Sequence, residues 1–366
     1  MKNIALIGST GSIGKQVLNV VRAHPDMFRI TALVANSPSA EFERQKEEFG
    51  PRLSALASKD KNTALAAAEA DCSDIVFNAA GGFSGLEYTL RAVRAVKDVA
   101  LANKESLVCG GELVMAEAER RGVTVIPVDS EHSAIWQCLG YDRSRKARRL
   151  IITASGGAFR GRAFETLENV TAEQALAHPT WKMGKKITVD SATLMNKGYE
   201  IIEAHVLYNV PYGNIEAVIQ PQSIVHSMVE FDDGAILAQM SYPTMELPIQ
   251  LALTYPQRHS CNLGFMDFTK AFSVDFEPLE REKYPLFGLA LRCGESGGTM
   301  PCALNAADEV AVWAFLNKKI KYTDIYTVAE GVVSSVSAEK VDSFEQLCEV
   351  DANARRLAER FIKNMI

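Results

Sequence analysis

Residues 125–137 read VIPVDSEHSAIWQ and put Asp129 and Glu131 one residue apart at the end of an apolar run. An extended chain turns alternate side chains to the same side, so both carboxylates face one way. Like charges that close repel unless a cation lies between them. No His-x-x-x-His pair or cysteine cluster accompanies them, which points away from zinc and toward magnesium or manganese held by oxygen. A third carboxylate is available in TVDSATLMNKGYEIIEAH, residues 188–205. There Asp190 or Ser191 caps a helix, and Asn196 and Glu200 stand four apart on one face beside Lys197. Glu200 and Glu203 both qualify as the third ligand. The neighbouring Asn and Lys suit a phosphate bound next to the metal.

Other stretches carry anion chemistry. IALIGSTGSIGKQVL spaces glycines at 8, 11 and 14 across a strand-to-helix turn, with the helix starting near Ser12. Such glycines let backbone approach a pyrophosphate, and the helix N-terminus supplies amides and a positive dipole end. NAD-preferring sites place an acid at the end of the second strand, on the ribose hydroxyls. Here that place reads Asn36-Ser37-Pro38, with Ser37 as a helix cap, which favours NADP(H). Asn103, Lys104 and Glu105 follow another apolar strand, where such sheets form their ligand crevice. Ser155-Gly156-Gly157 after a strand can converge hydroxyl and amide groups on an oxyanion. AHPTWKMGKKIT, with His178, Trp181, Met183 and Gly184, lacks a period and suits a lid that excludes water.

These residues need a scaffold. Short apolar runs at NIALIG, ITALVA, DIVFNAA, DVALAN and VTVIPV alternate with amphipathic stretches over residues 1–128, which predicts a parallel sheet covered by helices. Residues 129–262 predict an α+β domain with longer strands, AVIQPQSIVHSMVEF among them, a hairpin turn at FDDG and a helix over 191–207. Residues 263–283 read as a linker and 284–366 as all helix, ending on the repeat Leu347, Val350, Ala354, Leu357 and Phe361 behind a capping-box pair, Ser343 and Gln346. A length of 366 residues fits two or three domains. The net charge of −6 argues against nucleic-acid or anionic-membrane binding, and no run nears the roughly 18 apolar residues of a membrane span. No signal peptide precedes the first strand, and seven scattered cysteines suggest reduced thiols in a cytoplasmic protein.

Taken together, GSTGSIG, LANKESLV, PVDSEHSAIWQ, TASGGAF, HPTWKMGKKITVDSATLMNKGYEIIEAH, QPQSIVHSMVEF, MSYPTMELPI and ALNAADEVAVWAFL resemble the 1-deoxy-D-xylulose 5-phosphate reductoisomerase family, in order from residue 4 into the helical tail. The resemblance implies a Rossmann-like NADPH domain, a central catalytic domain that carries the dimer contact, and a C-terminal helical domain. It implies a homodimer acting on a phosphorylated sugar with NADPH and a divalent metal. By motif, Asp129, Glu131 and Glu200 are the metal ligands. Ser155, Ser191, Asn196 and Lys197 hold the substrate phosphate end, and Lys104, Ser130 and His178 contact the substrate. Thr10, Gly11, Ser12, Ile13, Asn36, Asn103, Glu105 and Gly184 contact NADPH. Residues 177–186 form a flap with Trp181 as its cover. The rival reading from the glycine turn is a semialdehyde dehydrogenase with Cys109 or Cys138 as nucleophile. A nucleotide sensor without catalysis has no use for the paired acids.

Overall fold

The computed structural model describes residues 1–261 and 263–365. The chain forms two compact units. One comprises Met1–Ser106, Glu112–Ser133 and Thr244–Phe265; the other comprises Leu107–Gly111, Ala134–Pro243 and the chain from Met266 on.

The first unit is built on six strands: β1 (Lys2–Ile7), β2 (Phe28–Ala35), β3 (Leu53–Leu56), β4 (Ile75–Asn78), β5 (Asp98–Leu101) and β6 (Val125–Pro127). All pair in parallel, in the order β3-β2-β1-β4-β5-β6. Ile4, Ala5, Leu6 and Ile7 are buried on both faces, as a central parallel strand requires. The five expected strands form. β3 was not anticipated, because the four residues LSAL carry too little pattern to stand out. Helices α1 (Ser12–Ala23), α2 (Ala40–Phe49), α3 (Lys61–Ala66), α4 (Gly85–Arg94) and α5 (Glu105–Arg121) lie in the connections. α1 begins at Ser12 as the glycine spacing predicts. α2 begins two residues later than expected. Its cap is Ser39, whose side chain accepts from the Phe42 N–H at 3.1 Å, and Phe42 is buried. Ser37 and Pro38 therefore stay outside the helix.

α6 (Ser130–Cys138) starts directly after Asp129, so Glu131 lies in a first helical turn and not on an extended strand. The alternation argument for the two acids is thereby corrected. They sit where a strand end becomes a helix N-terminus, and the positive end of the helix accepts them. Residues 244–265 group with this unit, whereas the sequence reading placed 244–262 in a 129–262 domain and 263–265 in the linker. The physical reason is a set of polar ties from the helix Glu246–Thr254 (α10 in chain order). Lys2 Nζ donates to the Leu253 carbonyl at 2.7 Å, His24 meets Gln250 at 2.9 Å, and Asn19 donates to Glu246 at 3.3 Å.

The second unit holds a mixed sheet of β7 (Arg149–Ala154), β8 (Ile215–Ile219), β9 (Val225–Glu230), β10 (Ile236–Met240) and β11 (Glu277–Pro278), ordered β10-β9-β7-β8-β11. AVIQPQSIVHSMVEF is two strands, broken at a turn where Ser223 takes a positive φ of 54°. The FDDG turn forms the β9–β10 hairpin, with Gly234 at φ 82°. The region 263–283 contains β11 at the sheet edge. The expected helix over 191–207 is two: α8 (Lys185–Thr193) and α9 (Met195–Tyr208), separated by Leu194 at φ 57°. Asp190 and Ser191 thus lie inside α8 and cap nothing. The short helix α7 (Ala172–Ala175) precedes them.

The tail is helical: α11 (Pro285–Ser296), α12 (Met300–Leu316), α13 (Asp324–Val333) and α14 (Phe344–Met365). α12 is buried almost all round, which its alanines permit by letting neighbouring helices approach. Leu347 and Ala354 of α14 are fully buried, and Ser343 accepts from the Gln346 N–H as the capping spacing predicts. α9 crosses α11 at Gly198, where a side-chain carbon would come within 2.4 Å of Ala290 Cβ.

Candidate active site

In the first unit the candidate residues gather along one edge. Gly8–Gly14 follows β1, Asn36 follows β2, Asn103–Glu105 follows β5 and Asp129–Glu131 follows β6. All are carboxyl ends of parallel strands, and the strand order reverses between β1 and β4, the place where such sheets open a ligand crevice. Gly8 adopts φ 84°, and a Cβ there would lie 2.3 Å from the Ala79 carbonyl oxygen. Gly14 approaches the same turn, since its Cβ would lie 2.3 Å from Gly8 O. Gly11 is the exposed N-cap of α1, and Thr10, Ser12 and Ile13 surround the helix start. The cradle fits a dinucleotide pyrophosphate: tight turn, open amides, close helix–strand packing. Asn36 is exposed at the end of β2, where its amide donates to Ser37 Oγ at 3.3 Å.

The loop after β4 was not singled out in the sequence, although the run AAGG directly behind a strand was its signal. Asn103, buried, ties it down. Its Nδ2 donates to Ala80 O at 2.9 Å, to Gly82 O at 3.0 Å and to Glu105 Oε2 at 2.8 Å. Its Oδ1 accepts from the Ser106 N–H at 3.1 Å. Asn103 therefore spends its side chain on shaping the crevice wall.

Lys104 Nζ lies 2.6 Å from Asp129 Oδ2, both largely buried. Burial pushes the Asp129 carboxyl up, but the charges of Lys104 and then His132 overcome that and hold it below the usual carboxylate range. His132 is fully buried and had no partner visible in the sequence; only the helix start at Ser130 turns it toward Asp129. Ser130 Oγ donates to Glu131 Oε2 at 2.5 Å. The donor set is carboxylate oxygen, suited to a hard cation.

The second unit carries the other candidate residues. His178 Nδ1 accepts from the Thr180 N–H at 3.1 Å and the Trp181 N–H at 2.9 Å. The ring proton therefore sits on Nε2, which donates to Ser155 Oγ at 2.9 Å. Burial lowers the His178 pKa, in keeping with this neutral form. Gly156 and Gly157 take φ 88° and 67°, and a Cβ on Gly157 would lie 2.4 Å from Ser191 O. That close approach brings the Ser155 turn against the end of α8, next to the start of α9. Asn196 and Lys197 occupy the first turn of α9, and both donate to the buried Glu200 carboxylate. Glu203, one turn along, is equally buried. Trp181 is half-buried, its ring 6.2 Å from that of His226, and Gly184 is the exposed N-cap of α8.

The rival nucleophiles fail on chemistry. Cys109 and Cys138 are buried, and burial pushes the Cys138 thiol up to about 11, where little thiolate exists at neutral pH. None of the seven cysteines is paired in a disulfide.

A doubly wound sheet with a glycine cradle, and acids and a lysine along its carboxyl edge, defines a dinucleotide-dependent oxidoreductase. Comparison with known proteins narrows the class. The family model for 1-deoxy-D-xylulose 5-phosphate reductoisomerase matches residues 4–71 and 57–111, that of its C-terminal domain matches 125–208, and that of the DXP reductoisomerase C-terminal domain matches 240–357. The 1-deoxy-D-xylulose 5-phosphate reductoisomerase of Heliobacterium modesticaldum is 46% identical over 379 residues, covering 98% of this chain and 97% of the relative. A crystal structure of DOX-P reductoisomerase in complex with NADPH, fosmidomycin and magnesium is 35% identical, with a TM-score of 0.92, covering 100% of this chain and 99% of the other. The Zymomonas mobilis enzyme in complex with NADPH is 37% identical, with a TM-score of 0.89 and 99% of each chain covered. This chain belongs to the 1-deoxy-D-xylulose 5-phosphate reductoisomerase family.

Proposed function

We propose that this chain rearranges 1-deoxy-D-xylulose 5-phosphate and reduces the product with NADPH to 2-C-methyl-D-erythritol 4-phosphate, a step in the methylerythritol phosphate route to isoprenoid precursors. Family membership over the full chain supports this reading. The observation that carries it is the edge of the first unit's sheet, where a dinucleotide cradle and a carboxylate pair with a lysine share one row of strand ends.

Asp129, Glu131 and Glu200 would hold the divalent cation, and Gly11 with its neighbours the NADPH pyrophosphate. When bound, the cation supplies a Lewis acid to the substrate oxygens and NADPH supplies the hydride. Lys104 offsets the Asp129 charge and can donate to a developing oxyanion. Ser155, Ser191, Asn196 and Lys197 are suited to the phosphate: hydroxyls, an amide and an ammonium, beside two positive-φ glycines and a helix start. His178 orients the Ser155 hydroxyl through its Nε2 proton. Trp181, on the irregular segment before α8, would cover the bound substrate and exclude water.

We also infer a homodimer. β10 is an edge strand of the second unit's sheet, and Ile236 and Leu237 on it are about half exposed, at 50% and 47%. Bare apolar edges of this kind call for a covering partner. A cytoplasmic location is supported by the reduced thiols. No described helix is long and apolar enough to cross a membrane.

The test is loss of NADPH absorbance in the presence of 1-deoxy-D-xylulose 5-phosphate and magnesium or manganese. Turnover should stop with a chelator and return when the metal is restored. Absence of turnover, or turnover indifferent to chelation, would overturn the reading.

A further inference from the structure

A buried charge cluster lies in the second unit, at the C-terminal end of the 177–186 segment and outside the residues assigned to the metal, cofactor or substrate. Lys186 Nζ sits 2.6 Å from Asp190 Oδ2 and 2.7 Å from Asp308 Oδ2, with the lysine side chain 17% exposed and the two acids 4% and 0%. The Tyr199 hydroxyl donates to the same Asp308 oxygen at 3.3 Å, and the ammonium lies 5.1 Å from the Tyr199 ring centroid. The other Asp308 oxygen has no hydrogen-bond partner among the described residues, so Lys186 and Tyr199 carry its compensation.

Local preference does not explain this lysine. It stands in the first turn of α8, where the helix dipole disfavours a cation. A basic residue four before an acid is also the weaker order for a helical pair. The tertiary partner, Asp308 from α12, is what makes the position favourable.

The placement has a mechanical consequence. Residues 176–184 have no regular structure, and Lys182, Gly184 and Lys185 are exposed. The segment is pinned at one end where His178 meets Ser155, and at the other where Lys186 enters the acid pair. Trp181 lies between the pins. We propose that Asp308 and Lys186 form a clamp that fixes the C-terminal root of the substrate-covering segment, so that α12 of the helical tail is a positioning element for that cover. The role in turnover rests on the proposed function; the clamp does not.

The experiment uses the full-length chain. Asp308→Asn keeps the shape and removes the charge. Trypsin should then cleave after Lys182 and Lys185 about tenfold faster, as expected for a larger locally open population, with other sites cleaved at the parent rate. The KM for 1-deoxy-D-xylulose 5-phosphate should rise about tenfold with kcat changed less than about threefold, the pattern of lost substrate binding. NADPH affinity should not move. If Asp308→Asn does not fold, the double variant Lys186→Met with Asp308→Asn keeps the cluster's net charge and is read the same way. Parent cleavage rates at Lys182 and Lys185 would overturn the clamp. So would faster cleavage at every site with a lowered thermal midpoint, which marks general destabilisation. Proteolysis needs no turnover, so an inactive parent would count against the proposed reaction while the cleavage pattern still decides the clamp.

Discussion

Gly14→Ala isolates the dinucleotide cradle. Position 14 is inside α1, where exchanging Gly for Ala normally gains about 1 kcal/mol of helix stability. Here the new Cβ would lie 2.3 Å from Gly8 O and 2.7 Å from two Ser9 backbone atoms. Ordinary contact begins about 1 Å farther out, and the opposing atoms are backbone, so the helix start must move away from the turn. Overpacking of that kind costs about 1–3 kcal/mol, which cancels or exceeds the propensity gain. A shift of about 1 Å at positioned groups can cost about a hundredfold in function, so the NADPH dissociation constant should rise ten- to a hundredfold. Gly11→Ala provides the comparison. Its Cβ meets only Gly8 O at 3.2 Å on an exposed helix cap, so folding should be spared while the cofactor's approach is hindered. The assay is NADPH titration by fluorescence, alongside thermal unfolding of the same samples. An NADPH constant within twofold of the parent for Gly14→Ala would refute the reasoning.

Two further perturbations address the second unit. Lys197→Ala should raise the KM for the phosphorylated substrate and lower stability, because it strands the buried Glu200 charge at a typical cost of about 3–5 kcal/mol. Adding Glu200→Gln should recover stability but not substrate binding, as read by denaturant titration and steady-state kinetics; no recovery would argue that the pair is not the source. His178, with its pKa lowered by burial from the ordinary 6.5, stays neutral in the fold while the unfolded chain protonates. The native state should therefore keep its full His178 contribution above about pH 6.5 and lose it as the pH falls through the window below. Thermal midpoints of the parent should drop more than those of His178→Gln over that window, and parallel slopes would contradict the assignment.

Much of this protein is legible in the chain. The strand-helix alternation over 1–128 follows from buried apolar runs, and a central parallel strand such as IALI permits no other pattern. The glycines at 8 and 14 announce their turn because a Cβ at either position would lie 2.3 Å from a backbone oxygen. Asp129 and Glu131 stand out because paired acids at a strand end need a reason. The reduced thiols and the capped tail helix also follow from local chemistry.

What tertiary structure alone decided are the partners. Asp129 meets Lys104 because β5 and β6 lie side by side, a neighbourhood no local spacing encodes. His132 turns toward Asp129 only because Ser130 starts a helix there. Leu194 breaks one expected helix into two, and the break sets Ser191 and Asn196 on separate helices. Asp308 is 122 positions from Lys186 in the chain and 2.7 Å from it in space. Periodicity and turn chemistry are short-range and survive in the sequence. Ion pairs and proton positions depend on which elements the fold packs together, and they exist only once it has formed.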